Sequence, residues 1–132
     1  MNGPEDLWRA AVSAREKAHA PYSRFPVGVA IRTESGRVHL GANMENQSYP
    51  EGWCAETSAI AHMLMAAETE ADRRIAEVVV VAELAPPITP CGGCRQRLAE
   101  FGRPDTMVHG GDPEGLKASW TLGELLPAAF RR

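Results

Sequence analysis

The sequence predicts an α/β fold in which helices pack in layers on a sheet. Segments with helical and strand-like patterning alternate along its 132 residues in the order α-β-β-α-β-α-β. The run Val78-Val79-Val80-Val81 has the unbroken β-branched character of a strand covered on both faces. Loops rich in proline or glycine, at 20–26, 47–53 and 86–90, separate these segments.

Residues 5–18 read as the first helix, with Leu7, Trp8, Ala11, Val12, Arg15 and Ala18 marking a rough apolar face. Pro21 and Pro26 forbid its continuation through Ala20-Pro21-Tyr22-Ser23-Arg24-Phe25-Pro26. Val27 to Thr33 alternates as a strand, Glu34-Ser35-Gly36-Arg37 turns, and Val38 to Met44 returns as its hairpin partner. A polar loop at 47–53 leads into an Ala-, Met- and Ile-rich helix from about Cys54 to Glu68. Ile75 to Leu84 is the expected central strand, and Pro86-Pro87-Ile88-Thr89-Pro90 a rigid loop. A helix from about Cys91 to Phe101, a short strand from Thr106 to His109 and a helical turn at Leu122–Leu126 complete the reading. The length fits one domain spanning 1–132, large enough to bury a core without disulfides.

The formal net charge of −3 argues against a polynucleotide partner, which calls for a basic excess to neutralise phosphates. No apolar run is long enough to span a membrane, and Met1-Asn2-Gly3-Pro4-Glu5-Asp6 lacks the pattern of an export signal. A cytoplasmic location is expected. Three cysteines cannot all pair with one another, and Cys91 and Cys94 are spaced C-x-x-C, a pattern that favours metal or redox chemistry in an unexported chain.

Cys54 stands where a loop becomes a helix, and Cys91 and Cys94 open the next helix just after Pro90, a residue suited to a helix start. The strand between the two helices gives a βαβ-like layout that can bring both helix starts to one edge of the sheet. Soft sulfur ligands point to zinc. Structural zinc sites are closed by four protein ligands, whereas catalytic sites keep one position for water. A fourth ligand from a histidine would make the site structural, and buried cysteines without metal are the plainer reading. His62 lies about 12 Å along the helix from Cys54, too far to share an ion easily. His19, His39 and His109 sit in no ligand motif. Glu56, two residues after a ligand, is either an ordinary acid in a first helical turn or a proton carrier beside an activated water.

Cys54-Ala55-Glu56 followed by Pro90-Cys91-Gly92-Gly93-Cys94-Arg95-Gln96 resembles the cytidine deaminase family, in its small homotetrameric branch with three cysteines. Three further blocks carry the resemblance in the same order: residues 20–28, residues 41–49, and Leu125-Leu126-Pro127-Ala128-Ala129-Phe130. The resemblance implies a three-layer α-β-α sandwich with a mixed sheet of about five strands and helices on both faces. It implies one Zn²⁺ per subunit on Cys54, Cys91 and Cys94, with Glu56 moving protons as water replaces the amino group at C4 of cytidine or 2′-deoxycytidine. Uridine or deoxyuridine and ammonia would be the products, a step of pyrimidine salvage. Asn43 and Glu45 would bind the ribose 3′-hydroxyl, Phe25 would lie on the pyrimidine, and Phe130 would reach the base from a neighbouring subunit. The backbone N–H of Ala55 would hold the base carbonyl, and a backbone carbonyl near Thr89 the leaving amino group. Tyr49 would sit near a subunit boundary. Apart from the resemblance, Asn43 and Glu45 read as solvated hairpin residues, and the two aromatics as core or interface filler.

The chain departs from the family in two places. Three thiolates on Zn²⁺ leave a formal charge of −1. Many relatives offset this with an arginine directly after the catalytic glutamate; here that residue is Thr57. Arg95 is present beside Cys94, but compensation is expected mainly from helix N-termini and backbone N–H groups. Trp53 is bulky beside a ligand and either packs or reshapes the pocket. A deaminase for another small aminopyrimidine, such as a modified nucleoside or a blasticidin-like compound, is the alternative activity.

Overall fold

The computed structural model describes residues 3–131; Met1 and Asn2, part of the segment read above for an export signal, lie outside them. The elements in chain order are α1 (Pro4–Arg15), β1 (Gly28–Thr33), β2 (Val38–Ala42), α2 (Ala55–Ala66), β3 (Ile75–Val81), α3 (Gly92–Phe101), β4 (Met107–Asp112), β5 (Gly115–Thr121) and α4 (Leu122–Leu125). The sheet order is β2-β1-β3-β4-β5. Only β3 and β4 run parallel; the other neighbours are antiparallel, so the sheet is mixed.

Alternate residues of each strand point to opposite faces, which builds two cores from one sheet. On one face Ala30, Val79 and Val81 meet Leu7 and Ala11 of α1. On the other, Val29, Ile31, Val78, Val80 and Val108 meet Ala59, Ile60 and Met63 of α2, Leu98 of α3, and Leu122 and Leu125 of α4. The expected three-layer sandwich with five strands is therefore found, and Val78–Val81 is fully buried as its composition implied.

The element-by-element reading missed β5. Its register against β4 shifts between Gly110 and Gly111. Leu116 packs with the α1 side while Trp120 packs with the other core. A register irregularity of this kind hides the simple alternation by which a strand is recognised. Several ends also differ from expectation: β4 runs on to Asp112 rather than stopping at His109, and α2 ends at Ala66 rather than Glu68. The first helix stops at Arg15 because Lys17 and Ala18 make turn bonds to Ala14 and Arg15, after which His19 N–H donates to Asn43 O at 2.9 Å. The hairpin partner ends at Ala42, beyond which Met44 makes only isolated bridges to His19 and Trp53. The central strand ends at Val81 rather than Leu84.

Gly41 fixes how closely α2 approaches β2. A Cβ at this position would lie 2.3 Å from Ala55 O and 2.4 Å from Ala59 N, both backbone atoms. Gly41→Ala must therefore push the first turn of α2 off the sheet, at a cost of about 1–3 kcal/mol or more. The expected result is a melting temperature lower by at least about 4 °C, followed by circular dichroism. Gly92→Ala, whose Cβ would meet nothing within 4 Å, should leave it nearly unchanged.

Candidate active site

The loop after β2 is clamped at both ends. Met44 and Trp53 exchange backbone hydrogen bonds at 2.9 and 2.8 Å, and Glu45 N–H donates to His19 O at 2.8 Å. This clamp delivers Cys54 in an extended conformation as the N-cap of α2. Cys91 is the extended N-cap of α3, and Cys94 lies in the first turn of that helix, fully buried. Neither N-cap cysteine makes a side-chain cap bond. First-turn N–H groups of a helix have no intrahelical partner, so both helix starts present donors and positive dipole ends near the sulfurs.

The three Sγ atoms lie within 4.8 Å of one another, and the cysteines form no disulfide. Three sulfurs each bonded at about 2.3 Å to one tetrahedral zinc ion are about 3.8 Å apart, so the cluster fits such an ion with small adjustment. Hydrogen bonding from the Cys94 thiol pulls Cys54 down to about 6, while the same contact pushes Cys94 up. A cation that takes the place of those protons resolves the competition between the thiols. Among the described residues this is the group of His, Cys, Asp and Glu side chains placed to share a metal. His62 Nδ1 is instead paired with Leu40 O at 2.8 Å, and His109 with Ser119 and Glu77, each at 2.6 Å.

Glu56 is 5% exposed, in the first turn of α2. Burial pushes its carboxyl above the usual carboxylate range, and the nearby Cys54 charge adds to the effect. A carboxyl poised closer to neutrality exchanges protons more readily with a reacting group.

Cys54 opens onto a surface pocket of about 410 Å³ whose walls include Asn43, Glu45, Tyr49 and Trp53. The 22–27 segment orients the two polar residues. Asn43 Oδ1 accepts from Val27 N–H at 2.9 Å and its Nδ2 donates to Phe25 O at 3.0 Å. Glu45 accepts from the N–H groups of Tyr22 and Ser23 at 3.0 and 3.1 Å and from the Ser23 hydroxyl. Hydrogen bonding by Ser23, first by its hydroxyl and then by its N–H, holds the Glu45 carboxyl below its ordinary range. Each side chain retains spare donor or acceptor capacity toward the pocket. Asn43 and Glu45 thus flank the Met44 bridge rather than lying on a continuous strand.

The other expected site residues are not among the pocket walls. Phe25 is half-buried and packs against the larger core. Ala55 is buried at the start of α2. Thr89 Oγ1 accepts from Arg95 Nη2 at 3.1 Å. Phe130 is 73% exposed, close in space to α3 through a bond from Gln96 Nε2 to its carbonyl at 3.3 Å. Arg95 donates to Pro90 O at 2.7 Å and Leu125 O at 2.9 Å, tying the loop that carries Cys91 to the C-terminal segment. Its hydrogen bonds therefore go to oxygen. Thr57 is half-buried on α2. The cation at a sulfur is one the sequence reading missed: Arg97 Nη1 lies 3.8 Å from Cys94 Sγ. The three-residue helical spacing from Cys94 was the available signal.

The family model described as the cytidine and deoxycytidylate deaminase zinc-binding region matches residues 1–110. The chain is 44% identical over 124 residues to a cytidine deaminase of Halalkalibacterium halodurans, covering 94% of this chain and 91% of that one. Its structure is similar to the crystal structure of cytidine deaminase from Burkholderia pseudomallei, with a TM-score of 0.87 and 43% identity, covering 95% and 97% of the two chains. It is also similar to that of cytidine deaminase from Mycobacterium leprae, with a TM-score of 0.78 and 38% identity, covering 95% and 98%.

Proposed function

The chain belongs to the cytidine and deoxycytidylate deaminase family, and we propose that it hydrolyses cytidine and 2′-deoxycytidine to uridine and 2′-deoxyuridine with release of ammonia. The observation that carries this reading is the convergence of three thiols beside a buried glutamate at the edge of an open pocket. Cys54, Cys91 and Cys94 would hold the zinc ion, one per chain. When bound, Zn²⁺ would supply a Lewis-acidic centre that makes water nucleophilic at neutral pH.

Glu56 takes a proton from the attacking water and passes it to N3 of the pyrimidine as the oxygen bonds to C4. It then delivers the second proton of that water to the 4-amino nitrogen, the C4–N bond breaks, and ammonia leaves. Burial of Glu56 keeps these transfers out of bulk solvent, and its raised pKa suits a group that must both accept and donate. Asn43 and Glu45, held rigidly by the 22–27 segment, bind the ribose 3′-hydroxyl. The N–H of Ala55 and a backbone carbonyl near Thr89 fix the base, and Phe25 packs on its face. Positioning of this kind favours the tetrahedral carbon of the transition state over the flat substrate. Thr57 and Arg95 lie outside direct contact with the nucleoside.

Tyr49, Trp53 and Phe130 leave large apolar surface exposed around this region, at 74, 50 and 73%. Such patches suit subunit contacts, and we assign the working form to a homotetramer whose neighbouring subunit brings Phe130 to the base. No helix among the described residues is long and apolar enough to cross a membrane, and we place the enzyme in the cytoplasm.

The test is ammonia release and absorbance loss from the zinc-loaded protein on a substrate panel. Cytidine and deoxycytidine should turn over, free cytosine far more slowly for want of ribose contacts, and a cytosine-containing oligonucleotide not at all. Turnover of a modified or blasticidin-like aminopyrimidine in preference to both nucleosides would move the substrate assignment to that class. No turnover of any of them would remove the activity.

A further inference from the structure

We propose that Arg97 is a positioning residue for the metal centre, offsetting from α3 the negative charge of the three thiolates that Thr57 cannot offset from α2. Arg97 follows Cys94 by three residues, so both lie on one face of the helix. Its Nη1 reaches within 3.8 Å of Cys94 Sγ, and that sulfur belongs to a fully buried residue. The neighbouring glycine leaves room for this reach. A Cβ at Gly93 would come within 3.2 Å of Arg97 Nη1, so the guanidinium folds back over the start of α3 through space that a side chain would narrow.

The second observation lies on the facing helix. Thr57 and Arg97 line the same surface cleft of about 370 Å³, together with Ile60 and Phe101. A short side chain at 57 leaves this cleft open on the α2 side, and Arg97 enters it from the α3 side. Arg95, the nearer arginine in sequence, spends its donors on Pro90, Leu125 and Thr89. Among the described residues Arg97 is therefore the arginine bonded to a ligand sulfur. A cation there favours the anionic three-thiolate complex over free thiols. It also draws electron density from sulfur, leaving the ion a stronger Lewis acid. Partners of this kind around a metal site commonly contribute about 10–100-fold to affinity or activity.

The proposal rests on reading the three cysteines as a zinc centre. The experiment compares the holoenzyme with Arg97→Met, Arg97→Lys and the double variant Thr57→Arg/Arg97→Met. It measures the rate of zinc transfer to a chromogenic chelator, kcat and KM separately, and the melting temperature. Arg97→Met should lose zinc at least about tenfold faster and lose about tenfold in kcat, with KM for cytidine unchanged. Arg97→Lys should fall between it and the parent, and the double variant should recover zinc retention and kcat. If Arg97→Met proves too unstable to purify, Arg97→Lys and the double variant carry the same comparison. Zinc retention and kcat equal to the parent's in Arg97→Met would overturn the proposal, as would failure of the double variant to recover either. A parent that binds no zinc would instead sink the metal reading itself, so the two failures are distinguishable.

Discussion

Glu56→Gln should retain one zinc per chain and lose about 10²–10⁴-fold in kcat on cytidine. The two side chains are nearly the same shape, and Glu56 is not a member of the sulfur cluster, so the metal site stays intact. The amide cannot accept a proton from water at neutral pH, nor carry one to the pyrimidine N3 or the amino group. The effect belongs in kcat, because the lost interaction forms as the water attacks and not when the substrate docks. Zinc content measured with turnover decides the matter. A variant with full zinc and turnover within tenfold of the parent would show that another group carries the proton.

The same substitution tests the cost of burying this acid. Desolvation raises its pKa in the folded state above the ordinary 4.5. An acid raised by folding favours the folded state most at pH values below its unfolded pKa. That contribution is lost as pH rises through the folded value and the carboxylate must ionise inside the protein. Gln never ionises. The melting temperature of Glu56→Gln should equal or exceed the parent's at pH 7.5, with the gap closing toward pH 4.5. A catalytic carboxylate held against its own solvation is a known way for activity to be maintained at the expense of stability.

Residues that act through short spacing are legible in the sequence. Cys54, Glu56, Cys91 and Cys94 sit in the first turns or caps of two helices, and the loop-to-helix transitions that place them are local events in the chain. The resemblance to the deaminase family added the ribose loop and the fifth strand to the count. What stayed hidden depends on partners distant in sequence. Asn43 and Glu45 looked like strand residues, yet their orientation comes from Val27, Phe25, Ser23 and Tyr22 across the sheet edge. Arg95 adjoins Cys94 in the sequence, which does not say where its side chain points; that side chain reaches Leu125, thirty residues on. The sequence does not single out Arg97, because an exposed arginine on a helix reads as a solvated one. β5 was lost to a register shift against β4.

Cys94→Ser should abolish zinc binding and turnover together, the second large effect. Cys94 is the ligand with no exposure, so its replacement is surrounded by core and not by solvent. A serine hydroxyl is a harder donor, remains protonated at neutral pH and sits on a shorter bond, so the site falls to two competent ligands. Zinc bound a thousandfold above its dissociation constant stabilises a folded protein by about 4 kcal/mol, and that contribution vanishes with the site. The parent's melting temperature should therefore drop when a chelator strips the metal, while that of Cys94→Ser starts low and ignores the chelator. The paired measurement separates loss of metal from loss of packing: packing damage alone would leave the variant responsive to zinc. A Cys94→Ser protein that keeps stoichiometric zinc after dialysis would show that the ion is held elsewhere. The geometry of three converging sulfurs would then need another explanation.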